Sequence, residues 1–156
     1  MTDFILLDLN ATYAENASQV HLMHKGIYNV EREFYRPWLT RLLRERQVLM
    51  LTSRPERYKA RTLEHIQKLE DWQPQLALFN GYRLKAPDAK QRMLETIVFP
   101  KFGDPTETSY VAIESNYKTS AMFERFGIHA YRQEAIATRP SLLDGPGETY
   151  EEGVLF

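Results

Sequence analysis

Five short apolar runs, each closed by polar residues, divide the chain. The first is Phe4-Ile5-Leu6-Leu7, running straight into Asp8-Leu9-Asn10-Ala11-Thr12. The second is Val48-Leu49-Met50-Leu51, followed by Thr52-Ser53-Arg54-Pro55. Leu76-Ala77-Leu78-Phe79 is closed by the turn signal Asn80-Gly81. Tyr110-Val111-Ala112-Ile113 leads into Glu114-Ser115-Asn116, and Ile128-His129-Ala130-Tyr131 is the last. Uninterrupted apolar runs of this length predict strands buried on both faces.

Between the runs the pattern turns helical. Residues 31–46 place Phe34, Trp38 and Leu42 on one stripe, with Tyr35, Leu39 and Leu43 beside it. Pro37 marks either a kink in that helix or its true start. A second helix is predicted over 56–70, with Ile66 and Leu69 facing the sheet. A third covers 87–98, with Pro87 in its first turn and Ala89, Met93, Leu94 and Ile97 as its apolar stripe. Residues 99–108, with two prolines, read as a loop. A fourth helix over 118–126 ends at Gly127. Residues 14–29 are polar and weakly patterned, an insertion after the first strand.

Strands alternating with helices predict an α/β fold, a three-layer Rossmann-like parallel sheet of about five strands with helices on both faces. One domain is expected over residues 1–134, and residues 135–156, rich in proline, glycine and glutamate, read as a tail. Right-handed crossovers bring all carboxyl ends of the strands to one edge, where open α/β sheets bind ligands.

Composition narrows the field. At 43% hydrophobic residues the chain can build a core, and a formal net charge of -1 argues against nucleic-acid binding driven by bulk charge. There is no cysteine, hence no disulfide or thiolate metal site. The amino terminus lacks the basic region of a signal peptide, and no apolar stretch is long enough to span a bilayer. The expectation is a cytoplasmic protein without a membrane partner.

The topology gathers Asp8, Asn10, Thr12, Thr52, Ser53, Arg54, Glu114, Ser115 and Asn116 into one neighbourhood. Two carboxylates, Asp8 and Glu114, with a backbone carbonyl and waters suit Mg²⁺. Thr52 and Ser53, placed before a helix, offer hydroxyl and N–H groups to an anion. Lys90, or Lys85 before it, completes the charge balance. Together these groups suggest a phosphoryl group that Asp8 attacks. Each has a plainer reading: turn residues at Asp8 and Glu114, a helix cap at Thr52-Ser53, a solvated lysine at 90. The order and position of the whole set favour the site.

That set resembles the haloacid dehalogenase-like superfamily. Its Asp-x-Asp-x-Thr signature is matched by Asp8-Leu9-Asn10-Ala11-Thr12, its Thr/Ser strand end by Leu51-Thr52-Ser53, its lysine by Lys90 and its acidic strand end by Glu114. The resemblance covers residues 4 to about 131. Within the superfamily, Leu51-Thr52-Ser53-Arg54-Pro55-Glu56, Arg61-Thr62 and the spacing from Lys90 to Glu114 look most like the phosphatase half of polynucleotide kinase/phosphatase enzymes. The resemblance implies that Asp8 is the nucleophile and a Mg²⁺ ligand, and that residue 10 lends its main-chain carbonyl to the metal. It implies that Thr52 binds phosphoryl oxygens, with Ser53 and Arg54 beside it, that Lys90 steadies nucleophile and phosphate, and that Glu114 binds the metal.

The departures shape the expected function. The superfamily's phosphatases carry aspartate where Asn10 stands, as general acid and base. A single acid, Glu114, stands where two are common, with Lys118 four residues on. The insertion at 14–29 makes only a minimal cap, so the site is open to a bulky substrate or to a protein partner acting as lid. The expected function is a Mg²⁺-dependent phosphohydrolase of weakened or altered activity, acting on a phosphorylated small molecule or a nucleic-acid end. The alternative is a catalytically degenerate binding or regulatory protein of the same fold. His21 and His24, three apart, read as surface or packing histidines, and Arg54, Arg57, Lys59 and Arg61 as a solvated basic face.

Overall fold

The computed structural model describes residues 1–145. Its five strands are β1 (Phe4–Leu7), β2 (Val48–Pro55), β3 (Leu76–Asn80), β4 (Tyr110–Ile113) and β5 (His129–Tyr131), in the order β3-β2-β1-β4-β5. Every pairing is parallel. β1 is central, and Leu7 lies opposite both Met50 and Ile113, so the polar residues that follow these three strands emerge side by side.

Alternation within the strands divides the core into two layers. Ile5, Leu7, Val48, Met50, Val111 and Ile113 face one side, where they meet helices α2 (Pro37–Leu43) and α3 (Lys59–Glu70). Phe4, Leu6, Leu49, Leu51 and Ala112 face the other, against α4 (Ala86–Met93) and α6 (Tyr117–Arg125). This is the α/β three-layer arrangement that the pattern predicts.

Several local expectations are corrected. The helix expected over 31–46 is α2 alone, preceded by a 3-10 turn at Val30–Arg32, because Pro37 occupies its first turn. Phe34 is consequently exposed, while Tyr35, Leu39 and Leu43 carry the packing. Leu69 is likewise exposed and Ile66 alone of that pair is buried. β2 runs on through Thr52, Ser53 and Arg54 to Pro55, with a register shift against β3, and a 3-10 turn (Glu56–Tyr58) precedes α3. Thr52 and Ser53 are therefore strand residues, not a helix cap.

The expected loop at 99–108 begins as helix. Past α4 the chain winds wider over Leu94–Val98, where the N–H of Phe99 donates to the carbonyl of Leu94, and α5 (Phe99–Phe102) follows. Pro100 has no amide hydrogen, and the wider π turn absorbs that break in the α ladder. Gly127, after α6, adopts φ +78°, the left-handed closure expected of it.

The position expected to begin a tail falls within α7 (Gln133–Thr138). Ile136 and Leu143, from α7 and the 3-10 turn Pro140–Asp144, are buried in the first core layer. Residues 146–156 of the expected tail lie outside the described residues. Among the described residues no helix is long and apolar enough to cross a membrane.

The insertion contains a 3-10 turn (Ala17–Gln19) and the short helix α1 (Val20–Met23). A buried ion pair fixes the chain that follows it to the sheet. Arg54 from β2 and Glu33 are both almost fully enclosed and meet through two guanidinium–carboxylate hydrogen bonds. Arg54 Nη1 also donates to Thr62 Oγ1 at 2.9 Å, and Tyr35 Oη donates to Glu33 at 3.2 Å. Removing one member of such a pair strands a buried charge, which costs about 3–5 kcal/mol. Glu33→Ala is therefore expected to destabilise the fold by about that amount in urea titrations. Glu31→Ala, which breaks the exposed pair with Arg61, is expected to leave the midpoint unchanged.

Candidate active site

Asp8 sits one residue beyond β1 and is almost buried. Three donors hold its carboxylate. Lys90 Nζ donates to Oδ1 at 2.7 Å, while Thr12 Oγ1 and Ser115 Oγ donate to Oδ2 at 2.7 and 3.0 Å. Thr12 reaches back because the chain turns sharply after Asp8, with Ala11 at φ 58° and its N–H held by Asn16 Oδ1 at 2.8 Å.

Lys90 projects from α4, fully enclosed between two strand ends, and also donates to Glu114 Oε1 at 2.7 Å. Burial alone would lower its pKa, but the Asp8 and Glu114 carboxylates outweigh that and raise it. Lys85 is exposed and precedes the helix, so Lys90 is the lysine at Asp8. Glu114 is also buried. Desolvation first, then the Asp8 carboxylate, push its pKa up to about 7 against the pull of Lys90. Its second oxygen accepts the backbone N–H groups of Ser115 and Asn116 at 3.1 and 3.2 Å. Glu114 thus faces Lys90, and the hydroxyl of the next residue stands beside Asp8.

Asn10 is divided between two tasks. Its main-chain carbonyl lies 3.3 Å from Ser115 Oγ, a second acceptor for the hydroxyl that reaches Asp8. Its side-chain oxygen accepts from Arg54 Nη2 at 2.8 Å and Asn16 Nδ2 at 3.3 Å. Arg54 is fully buried in that network, and Thr52 is buried with its hydroxyl on the Arg54 N–H at 3.1 Å. Neither lines the open space above Asp8; Ser53, of the same strand, does.

That space is a cavity of about 250 Å³. Strand ends contribute Asp8, Ser53, Glu114 and Ser115, and α4 contributes Lys90. The insertion supplies the remaining wall with Val20, Met23, His24 and Tyr28. Tyr28 is set by the Arg54 guanidinium, 4.5 Å from its ring centre, and burial raises its phenol pKa. Lys118 is exposed and does not line the cavity.

The structure therefore brings Asp8, Asn10, Lys90, Glu114 and Ser53 together, with Thr52 and Arg54 in the layer beneath. The sequence puts Ser115 at the sheet edge without a role, gives the insertion only as a minimal cap with His24 as a surface or packing histidine, and assigns nothing to Glu33. The position of Ser115 directly after Glu114 was the available signal. For Glu33, an acid within a predicted helix, there was none.

No family model matches the chain, and no curated protein matches it. Among solved structures, a chain of the Pnkp1/Rnl/Hen1 RNA repair complex superimposes with a TM-score of 0.60 at 14% identity. It covers 84% of this chain and 42% of its own length. A chain from a second Pnkp1/Rnl/Hen1 complex gives 0.61 at 16%, over 84% of this chain and 46% of its own. The chain thus spans less than half the length of these neighbours, and likeness at this identity establishes a shared α/β fold.

Proposed function

We propose that this chain is a slow phosphohydrolase of the haloacid dehalogenase-like kind, with Asp8 as the group that accepts the phosphoryl. The setting of Asp8 carries the reading. A carboxylate lining an open cavity is oriented by an ammonium and two hydroxyls, the arrangement that aims a nucleophile and offsets its charge. The fold shared with chains of an RNA repair complex supports a phosphorylated substrate, including a nucleic-acid end. The open cavity leaves room for a bulky substrate or for a partner as lid.

The oxygen donors beside Asp8 fit a hard cation such as Mg²⁺ in kind, though with little charge. Asp8, the Asn10 carbonyl and Ser115 Oγ would hold it, while Glu114 is engaged by Lys90. Among the described residues no group of three His, Cys, Asp or Glu side chains is placed to bind a metal. When bound, the cation would balance phosphate charge against the carboxylates. Lys90 supplies the fixed positive charge, and Ser53 and Ser115 offer hydroxyls to the phosphoryl oxygens.

A second reading is a degenerate binding protein, and Asn10 is the observation that favours it. Its amide cannot exchange a proton near neutral pH, and it is tied to Arg54 and Asn16. Losing general acid–base help typically costs ~10²–10⁴-fold.

Assay of the purified protein with Mg²⁺ and an aryl phosphate separates the two. Hydrolysis that disappears in Asp8→Ala is expected under the first reading, with Asn10→Asp raising turnover by roughly 10²-fold or more. A silent wild type that Asn10→Asp switches on establishes the second. Phosphate release from 3′-phosphorylated oligonucleotides tests the nucleic-acid end in the same format.

The buried charges also predict a pH dependence of stability. A carboxyl whose pKa rises on folding binds more protons in the native state, so its contribution is full below the unfolded value and lost as pH rises through the folded one. For Glu114 that window runs from 4.5 to about 7. The raised Lys90 pKa acts only at higher pH, above its ordinary 10.5. Wild type is therefore expected to lose melting temperature relative to Glu114→Gln between about pH 5 and pH 8. Parallel curves across that range would contradict the assignment.

A further inference from the structure

The reading of Asp8 as phosphoryl acceptor leaves a proton unaccounted for. In-line attack at phosphorus expels an oxygen anion that needs a proton, and the water that follows must lose one. Asn10 can do neither. Among the groups facing the cavity, Lys90 is held by two carboxylates that favour its charged form. Glu114, whose carboxyl pKa is raised toward neutral pH, has both oxygens engaged by Lys90 and backbone N–H groups, so it offers no free oxygen to a leaving group. Tyr28 is a buried phenol with a raised pKa.

His24 is different. It lines the cavity from the insertion, whereas Asp8 lines it from the end of β1. Its backbone N–H closes α1 by donating to Val20 at 3.0 Å. Its ring makes no hydrogen bond or ion pair to the described residues and is exposed to solvent. In-line displacement puts the leaving oxygen opposite the nucleophile, and His24 lines the same cavity as Asp8. The loop is fixed there by Arg57 Nη2 and Tyr58 Oη, which donate to the Gly26 carbonyl at 2.9 and 3.2 Å. Imidazole is the side chain that trades a proton near neutral pH.

We propose that His24 is the general acid and base of this site, taking the role that Asn10 cannot fill. An oxygen of Asp8 bonds to phosphorus as the bond to the leaving oxygen breaks, and that oxygen departs with the His24 proton as an alcohol. Aspartyl phosphate and neutral imidazole remain. Water then adds to phosphorus and gives its proton to His24, while the acyl phosphate P–O bond breaks. Phosphate leaves, and the Asp8 carboxylate and the imidazolium are restored. Around His24 the charged and titratable groups are Asp8, Lys90 and Glu114 from the strand ends and α4, with His21, Lys25 and Tyr28 on its own insertion and Arg57 and Tyr58 against it.

This inference rests on the Asp8 reading, and leaving-group dependence separates them. Wild type, His24→Gln and Asp8→Ala are compared on phenyl phosphate and 4-nitrophenyl phosphate across pH, with Mg²⁺ present and melting temperatures checked. His24→Gln is expected to lower kcat on phenyl phosphate by roughly 10²-fold, to cost far less on the better leaving group, and to remove one limb of the pH profile. Equal small effects on both substrates, with the pH profile retained, overturn the role of His24 while loss of activity in Asp8→Ala sustains that of Asp8. Hydrolysis that survives Asp8→Ala, or no hydrolysis by wild type, overturns both.

Discussion

Lys90 joins two strand ends to a helix through buried charge. Its ammonium lies between Asp8, 82 residues away, and Glu114, 24 residues away, at 2.7 Å from each. Desolvating three charges is expensive, and the arrangement stands because each carboxylate oxygen meets at least one donor. Thr12 and Ser115 serve Asp8, and two backbone N–H groups serve Glu114. The parallel register of β1 against β4 makes this possible, since Leu7 and Ile113 pair and the two acids follow at the same level.

A second buried charge system lies beneath the first. Arg54 joins Glu33, Asn10 and Thr62, and its face carries Tyr28. The two systems meet at Asn10, whose carbonyl belongs to the Asp8 side and whose amide belongs to the Arg54 side. A proton-transfer residue at that position would have to serve a structural clamp as well. The amide satisfies the clamp and cannot exchange a proton near neutral pH.

The strand pattern made most of the fold legible, because a parallel sheet covered on both faces leaves unbroken apolar runs. Asp8 and Glu114 were legible for the same reason, since strand ends converge wherever the crossovers are right-handed, whereas Lys90 on α4 was legible only as a charge balance for them, with Lys85 as an alternative. Helix limits were less so. Pro37 and Pro100 act through one missing hydrogen bond each, and whether a chain stops, starts or widens there depends on its packing. The burial of Arg54 could not be read from a strand end rich in polar residues. Its partner Glu33 comes from a segment whose pattern suggested a continuous helix.

The Glu33–Arg54 contact also limits how this molecule can change over evolutionary time. Surface insertions are ordinarily free to vary in length and composition, because their backbone is solvated. Here the chain leaving the insertion carries the counterion for a guanidinium that belongs to the sheet. A loop of different length, or one grafted from another protein, would leave that cation unmatched unless it returned a carboxylate to the same point. Variation in the cavity wall is therefore restricted by charge balance in the core more than by the space available at the surface.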